Sequence, residues 1–258
     1  MTSRATTPGT MARTIAGTTI GPIELRGVAF FSTHHASSAD VLAGRERPAT
    51  GPGYLLLAGR ARRFTSLVTQ MHLEVCGALG HDATEPPLAV FATCHGEIQT
   101  AEKLISDFRD AALVSSARFA LSVHNTASGM YSVAVGSTAA TTTVTGANAI
   151  AAGWLEAALT VIDTGRSVLL SIADEPVPAV FEGPRALVGV AAAFLLGRGN
   201  GRRVELAITP ARAELDPLQV LAHVAERCAH DAAASVSLGS IQPGAALELR
   251  VLAGAARA

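Results

Sequence analysis

The 258-residue sequence carries 20 Lys and Arg against 21 Asp and Glu, a formal net charge of −1, and no long run of one sign. This balance argues against a nucleic-acid surface or a polybasic membrane patch. Hydrophobic residues make up 49% of the chain but aromatic residues only 4%, so we expect a large core filled mainly by small aliphatic side chains.

Cysteine usage and the N-terminal segment indicate the compartment. Cys76, Cys94 and Cys228 are widely spaced and form no Cys-x-x-Cys pair, which argues against a disulfide framework or a zinc site. No apolar run approaches the roughly 20 residues of a membrane helix, and residues 1–20 lack the apolar stretch of a secretory signal. We predict a disordered tail at 1–20, a single domain at 21–258, and a cytoplasmic protein with no metal and no cofactor.

Strands and helices alternate along most of the chain. The first part predicts a strand at 22–32, a loop at 33–56, an amphipathic helix at 63–79, a strand at 87–94 and a helix at 97–111. The middle predicts a strand at 141–146, a helix from Ala149 to Asp163 and a buried strand at 167–174. The last part predicts strands at 191–196 and 202–209, a helix at 216–233 and a final strand at 245–253. The order favours an α/β layered domain with a mixed, mostly parallel sheet and flanking helices.

The segment Cys-His-Gly-Glu at 94–97 offers chemistry-bearing side chains at the end of a predicted strand. It contains the His-x-Glu of zinc deaminases, but the second Pro-Cys-x-x-Cys motif of those enzymes is absent. Cys94 and His95 are neighbours on a strand, so they point to opposite faces and form a poor nucleophile–base pair. We interpret the segment as a strand-to-helix turn that lines a pocket or an interface.

Two other motifs receive structural interpretations. Asp174 and Glu175 follow a strand and could act as acid or base, but no matching nucleophile accompanies them, so we interpret them as a solvated loop. The segment Gly-Arg-Gly-Asn-Gly at 197–201 has no Lys-Ser/Thr and no following helix, which favours a β-hairpin turn over a phosphate loop.

Residues 119–175 resemble the nucleophile region of the β-ketoacyl synthases of the thiolase superfamily. The frame of that region is carried by Asn125, Gly129, Gly136 and Gly165, and in this register Asn148 takes the place of the nucleophilic cysteine. Residues 88–99 and 189–207 resemble two further parts of the same family. The resemblance implies a thiolase-like layered fold of a truncated ketosynthase.

The departures from the family pattern bear on activity. A carboxamide has no thiolate form and cannot form a thioester, and the chain contains neither of the two histidine motifs of the family's second half. Condensation by this chain alone is therefore not expected. The Ser-Val-His-Asn motif at 122–125 resembles that of short chains from aryl polyene pathways.

By resemblance, the chain would be a non-catalytic, chain-length-factor-like subunit. It would form a heterodimer with a ketosynthase and shape the acyl tunnel in polyene or fatty-acid-like (aryl polyene) biosynthesis, with an acyl carrier protein as a second candidate partner. The alternatives are an acyltransferase that uses Cys94, a malonyl decarboxylase in which the Asn148 amide holds a thioester carbonyl, and a docking-only scaffold. The candidate tunnel or interface residues, each of which has ordinary core or loop as its alternative, are Phe119, His124, Asn125, Gly129, Met130, Tyr131, Cys94, His95, Gly96 and Glu97.

Overall fold

The computed structural model describes residues 16–57, 59, 61–80, 85–181, 188–211, 216–230 and 232–253, which are built around one eight-stranded sheet. In chain order the strands are β1 (Thr19–Ser32), β2 (Leu88–Thr93), β3 (Thr141–Thr145), β4 (Val168–Asp174), β5 (Val190–Gly197), β6 (Arg203–Pro210), β7 (Ala234–Gln242) and β8 (Ala245–Val251). Their order across the sheet is β3-β2-β4-β5-β1-β6-β8-β7.

The sheet is mixed, as predicted, but its pairings are mainly antiparallel. Among the described strands, β2 pairs in parallel with β3 and β4, and the other five pairings are antiparallel. The expected majority of parallel pairs is therefore wrong. Helices connect β2 to β3 and β3 to β4, and such crossovers allow parallel pairing. No helix of this kind precedes β5, which follows β4 directly among the described elements.

The glycine-rich segment at 197–201 is not a hairpin turn, because β1 lies between β5 and β6. Glu24 of β1 is paired with Gly197 on one side and with Arg203 on the other, so the chain crosses over β1 at this point. The Gly201 N–H donates to Glu24 Oε1 at 3.0 Å. A Cβ at Gly199 or Gly201 would meet the Glu24 carboxylate, so a larger residue at either position would force that side chain to move.

Eight helices are described: α1 (Ser38–Leu42), α2 (Ala61–Phe64), α3 (Leu67–Leu79), α4 (Ile98–Ala111), α5 (Ser116–Ala120), α6 (Thr126–Val135), α7 (Ala149–Thr164) and α8 (Pro217–Ala229). Helices α3 and α6 pack on one face of the sheet and α7 and α8 on the other. Helix α7 contacts β2 and β4 and also β7 at the far end of the sheet. The sheet therefore curves around α7 and α8, which become an internal layer centred on the fully buried Trp154.

Most predicted elements are present with shifted ends. Helix α3 begins at Leu67, later than predicted, because Ser66 accepts the Thr69 N–H at 3.1 Å and caps the helix. The predicted final helix ends at Ala229. Strand β7 and the helices α1, α5 and α6 were not predicted. Residues 1–15 of the predicted tail lie outside the described residues, whereas Thr19 already belongs to β1. No helix in the described part of the chain is long and apolar enough to cross a membrane.

Candidate functional site

A tight turn between β3 and α7 carries Asn148. Gly146 adopts φ +111°, a conformation that favours glycine, and its N–H donates to the Thr93 carbonyl at 3.3 Å. The Ala149 N–H donates to the Gly146 carbonyl at 2.9 Å and closes the turn. Asn148 is the exposed N-cap residue of α7, and its side chain makes no capping hydrogen bond. The amide therefore stands at a helix N-terminus in contact with solvent.

A cavity of about 440 Å³ opens beside this turn, at the carboxyl ends of β2 and β3. Five of the candidate residues meet there although they come from separate parts of the sequence. Its lining consists of Cys94, His95, Gly96, Glu97, Ala101, Ser122, Val123, His124, Thr145 and Gly146. The sequence motifs around 94–97 and 122–125 are thus brought together with the β3–α7 turn, and we call this cavity the elbow pocket.

Cys94 is a weak nucleophile in this setting. Burial raises the pKa of its thiol, the charge of Asp174 and the hydrogen bond with that carboxyl raise it further, and the Ala149 N–H opposes them. The thiol therefore stays protonated near neutral pH, where a thiolate is the reactive form. His95 Nδ1 lies 3.8 Å from Asp174 Oδ1, and the His95 side chain is directed toward solvent with 40% exposure.

Asp174 and Glu175 are buried, each with 1% exposure, so their interpretation as a solvated loop is wrong. Asp174 Oδ1 accepts the Thr93 hydroxyl at 2.9 Å and the Cys94 N–H at 2.8 Å. Glu175 accepts the Val68 N–H at 3.2 Å and the Gln99 N–H at 2.9 Å. Asp174 therefore fixes the backbone at Cys94, beside the elbow pocket, and Glu175 binds the first turns of α3 and α4.

Glu97 is the third buried carboxyl at this junction. It accepts the Thr69 hydroxyl at 2.6 Å and the Thr100 hydroxyl at 3.2 Å. Burial raises the pKa of Glu97 and of Asp174, and burial also raises the pKa of Glu175 to about 7. Within the described residues, no group of three His, Cys, Asp or Glu side chains is arranged to hold a metal ion.

The remaining candidate residues do not line the elbow pocket. Phe119 lies on α5 with 64% exposure, Asn125 is the exposed N-cap of α6, and Gly129 is exposed on the same helix. Met130 is half-buried against the core. Tyr131 is buried in the core, with its ring centroid 5.7 Å from that of Phe91, so ordinary core describes it.

Several pocket residues were missed by sequence reasoning. Ala101 and Thr145 line the cavity without belonging to a motif that identifies them, and Ser122 and Val123 belong to the 122–125 motif but were not among the candidate residues. One signal could have indicated part of the set, since the carboxyl ends of neighbouring parallel strands share one edge of a sheet. That rule groups the end of β2 with the end of β3.

Comparison with known proteins gives a family and a fold. Residues 44–245 match the family model described as beta-ketoacyl synthase, N-terminal domain. Among curated proteins, no sequence matches the chain. Solved structures are also similar to this chain, among them the following two. The first is the ketosynthase ApeO in complex with its chain length factor ApeC from Xenorhabdus doucetiae, at 18% identity and a TM-score of 0.69, covering 89% of this chain and 99% of that one.

The second is the ishigamide ketosynthase/chain length factor, at 13% identity and a TM-score of 0.63, covering 92% of this chain and 100% of that one. Because each alignment covers about nine tenths of this chain and nearly all of the matched chain, the matched chains are close to this chain in length. At such identities the likeness establishes the fold, and it confirms the thiolase-like layered arrangement. Because the family model matches most of the length of this chain, the chain belongs to the beta-ketoacyl synthase N-terminal domain family.

Proposed function

We propose that this chain is a chain-length-factor-like subunit that pairs with a ketosynthase and shapes the acyl tunnel in polyene or fatty-acid-like (aryl polyene) biosynthesis. The observation that carries the proposal is Asn148, an exposed amide on a fully formed turn at a helix N-terminus, where the family register expects a cysteine. An amide cannot form the acyl thioester, so the condensation has to take place on another chain.

An exposed face next to this turn supports pairing. Strand β3 stands at one edge of the described sheet, and Thr141, Thr142 and Thr145 are exposed along it. Helix α6 packs beside β3, where Thr143 Oγ1 donates to Ser128 Oγ at 3.3 Å, and it presents Val133 with 79% exposure. We call this surface the β3–α6 face. An edge strand with small side chains beside exposed apolar residues suits pairing with another strand.

The acyltransferase alternative has less support, because the partly buried thiol of Cys94, beside the Asp174 carboxyl, is held in its unreactive protonated form. The decarboxylase alternative requires a thioester to reach Asn148 on the isolated chain, and it predicts loss of CO₂ from a malonyl carrier protein. Absence of that reaction with the purified chain would leave the paired subunit as the better description.

Co-expression with the ketosynthase encoded nearest to this chain tests the pairing. We expect a stable one-to-one complex by size-exclusion chromatography with mass determination. Val133→Arg on the β3–α6 face should weaken the complex by at least about tenfold, because a charge would be buried in an apolar interface. Ile162→Arg is the matched control, since Ile162 is an exposed aliphatic residue on α7, on the opposite side of the sheet. A chain that remains alone beside every ketosynthase tried would contradict the proposal.

Product length separates a tunnel-shaping subunit from a docking-only scaffold. Ala101→Phe would fill part of the elbow pocket from α4 and should shorten the product if the pocket belongs to the tunnel. Ala111→Phe places the same side chain at the exposed end of the same helix and should leave the product unchanged. An intact complex whose product does not respond to Ala101→Phe would favour the scaffold.

A further inference from the structure

Helix α4 covers one side of the elbow pocket and is held loosely. Of its 14 residues only Leu104 is buried, while Ile105 and Phe108 are 61% and 62% exposed. Its principal packing partner among the described elements is the short α5. Ala101 of α4 lines the pocket, so any movement of this helix would open or close it.

The first turn of α4 is attached through Glu175, and its N-cap residue Glu97 is also tied to α3 by the Thr69 hydroxyl at 2.6 Å. Gln99 donates its N–H to Glu175 Oε1 at 2.9 Å and its side-chain amide to the Pro176 carbonyl at 3.0 Å. The N-cap residue, Glu97, makes no capping hydrogen bond with its side chain. Glu175 Oε2 also accepts the Val68 N–H of α3. Since α3 is packed into the core and α4 is not, α4 is the element that can leave this attachment.

Glu175 faces other carboxyls rather than a cation in the described structure. Glu97 comes from the start of α4 and Asp174 from the end of β4. From α3 comes His72, which is buried, bonded to Ser171 at 2.8 Å and neutral, since burial lowers its pKa to about 3. The imidazole nearest to the cluster is that of His95, beside Asp174.

Three carboxyls buried at one junction cannot all ionise without a large cost, because burial and like charges both disfavour the ionised forms. Burial, and then the charge of Glu97, raise the pKa of Glu175, against the opposing hydrogen bond from Gln99. When α4 lifts, water reaches Glu175 and stabilises its carboxylate. The closed state therefore binds a proton more tightly than the open state.

We propose that α4 with α5 is a lid over the elbow pocket and that Glu175 is its proton-dependent latch. The lid is seated while Glu175 holds a proton, and the open population grows as Glu175 ionises. Proton linkage gives the sign: the state that binds the proton more weakly gains as pH rises. The pocket is accordingly closed in mild acid, and its accessibility grows as the pH rises toward 7 and then levels off. The lid and its latch are formed by this chain alone, so this proposal can be tested independently of pairing with a ketosynthase.

Hydrogen exchange of the full chain, followed by mass spectrometry between pH 4.5 and 7.5 and corrected for intrinsic exchange rates, tests the latch. Protection in peptides from 98–120 should fall on the order of 100-fold across this range, about tenfold for each unit by which closure raises the pKa. Peptides from α7 should keep their protection. Constant protection in 98–120 would overturn the proposal.

Variants identify the responsible group. Glu175→Gln keeps the shape of the side chain but removes its titratable group, so it should abolish the pH dependence of protection in peptides from 98–120. Glu102→Gln removes a carboxylate from the same helix outside the junction and should leave the dependence intact. If Glu175→Gln fails to fold, Glu97→Gln decides, because loss of a neighbouring charge should shift the midpoint to lower pH. Persistence of the dependence in Glu175→Gln, or an unmoved midpoint in Glu97→Gln, would refute the latch.

Discussion

Gly153 sets how closely α7 approaches the sheet, and replacing it with alanine should destabilise the protein. A Cβ at Gly153 would lie 2.8 Å from the Cβ of Ala92 on β2 and 3.3 Å from Leu170 Cδ1 on β4. Favourable carbon–carbon contacts lie at about 3.5–4.0 Å, and the Ala92 Cβ is fixed to a strand inside the sheet, so α7 would have to move outward. Overpacking costs about 1–3 kcal/mol, whereas Gly→Ala in a helix returns about 1 kcal/mol. A contact of 2.8 Å with a fixed Cβ belongs to the upper part of the overpacking range, so we expect a net loss of about 1–2 kcal/mol in the free energy of unfolding.

Urea unfolding followed through the fluorescence of Trp154, the single tryptophan of the chain, measures this loss. Ala92→Gly removes the opposing methyl group, so a double-mutant cycle of Gly153→Ala and Ala92→Gly should show a favourable coupling of about 1 kcal/mol or more. Gly129→Ala on α6 is the matched control, because a Cβ there meets nothing within 4 Å and should be neutral or stabilising. A Gly153→Ala protein as stable as wild type, or a cycle without coupling, would refute the close-approach argument.

Three further predictions follow from buried groups and from the turn. Burial raises the pKa of Glu175 from 4.5 to about 7, so its favourable contribution is full below 4.5 and is lost as pH rises through 7. The unfolding free energy of Glu175→Gln relative to wild type should therefore rise by up to about 3 kcal/mol over that window in urea titrations. The comparison with wild type is needed because burial lowers the pKa of His72 to about 3, so the His72 contribution to the unfolding free energy rises with pH below 6.5. A difference between the two proteins that does not change with pH would contradict the assignment to Glu175. Iodoacetamide should modify an Asn148→Cys thiol, which is exposed at a helix N-terminus, at least about tenfold faster than native Cys94, and equal rates would count against this contrast. Trp154→Ala should lower the free energy of unfolding by about 3–5 kcal/mol, because the ring is buried and its centroid lies 4.7 Å from that of Phe194. Thermal unfolding followed by circular dichroism measures this loss, and a value below about 1 kcal/mol would be inconsistent with that packing.

Elements with strong local signals were predictable from sequence. Helix α7 begins at Ala149 as predicted and ends within one residue of the expected position, because an apolar helical pattern stops at Gly165 in a left-handed conformation. Strand β4 was recognised as a continuous apolar run between polar residues, and all of its residues are buried. Strand β7 was missed because its serines and one glycine have little β-propensity, and its pairing with β8 carries two register shifts.

Features that depend on distant pairing were not predictable. The insertion of β1 between β5 and β6 brings residues together that are more than 150 positions apart, and neither strand pattern encodes its neighbour. Burial of Asp174 and Glu175 has the same origin, because it follows from the convergence of the first turns of α3 and α4 on the end of β4. Sequence reasoning collected five of the pocket residues through two motifs, whereas the carboxyls that support the pocket had no local signal of burial.

The β3–α7 turn can keep its shape without a cysteine because its closing hydrogen bonds run through the backbone. Gly146 bonds to the end of β2 and Ala149 bonds to Gly146, and neither bond uses the side chain at position 148. Cys94 lies beside the turn, where the Ala149 N–H lowers the pKa of its thiol against the raising effects of burial and Asp174. The fold thus makes no use of the side chain at 148, so an amide there costs little stability. A subunit whose partner supplies the chemistry can then carry an amide at this position while it retains the turn, the elbow pocket and the β3–α6 face.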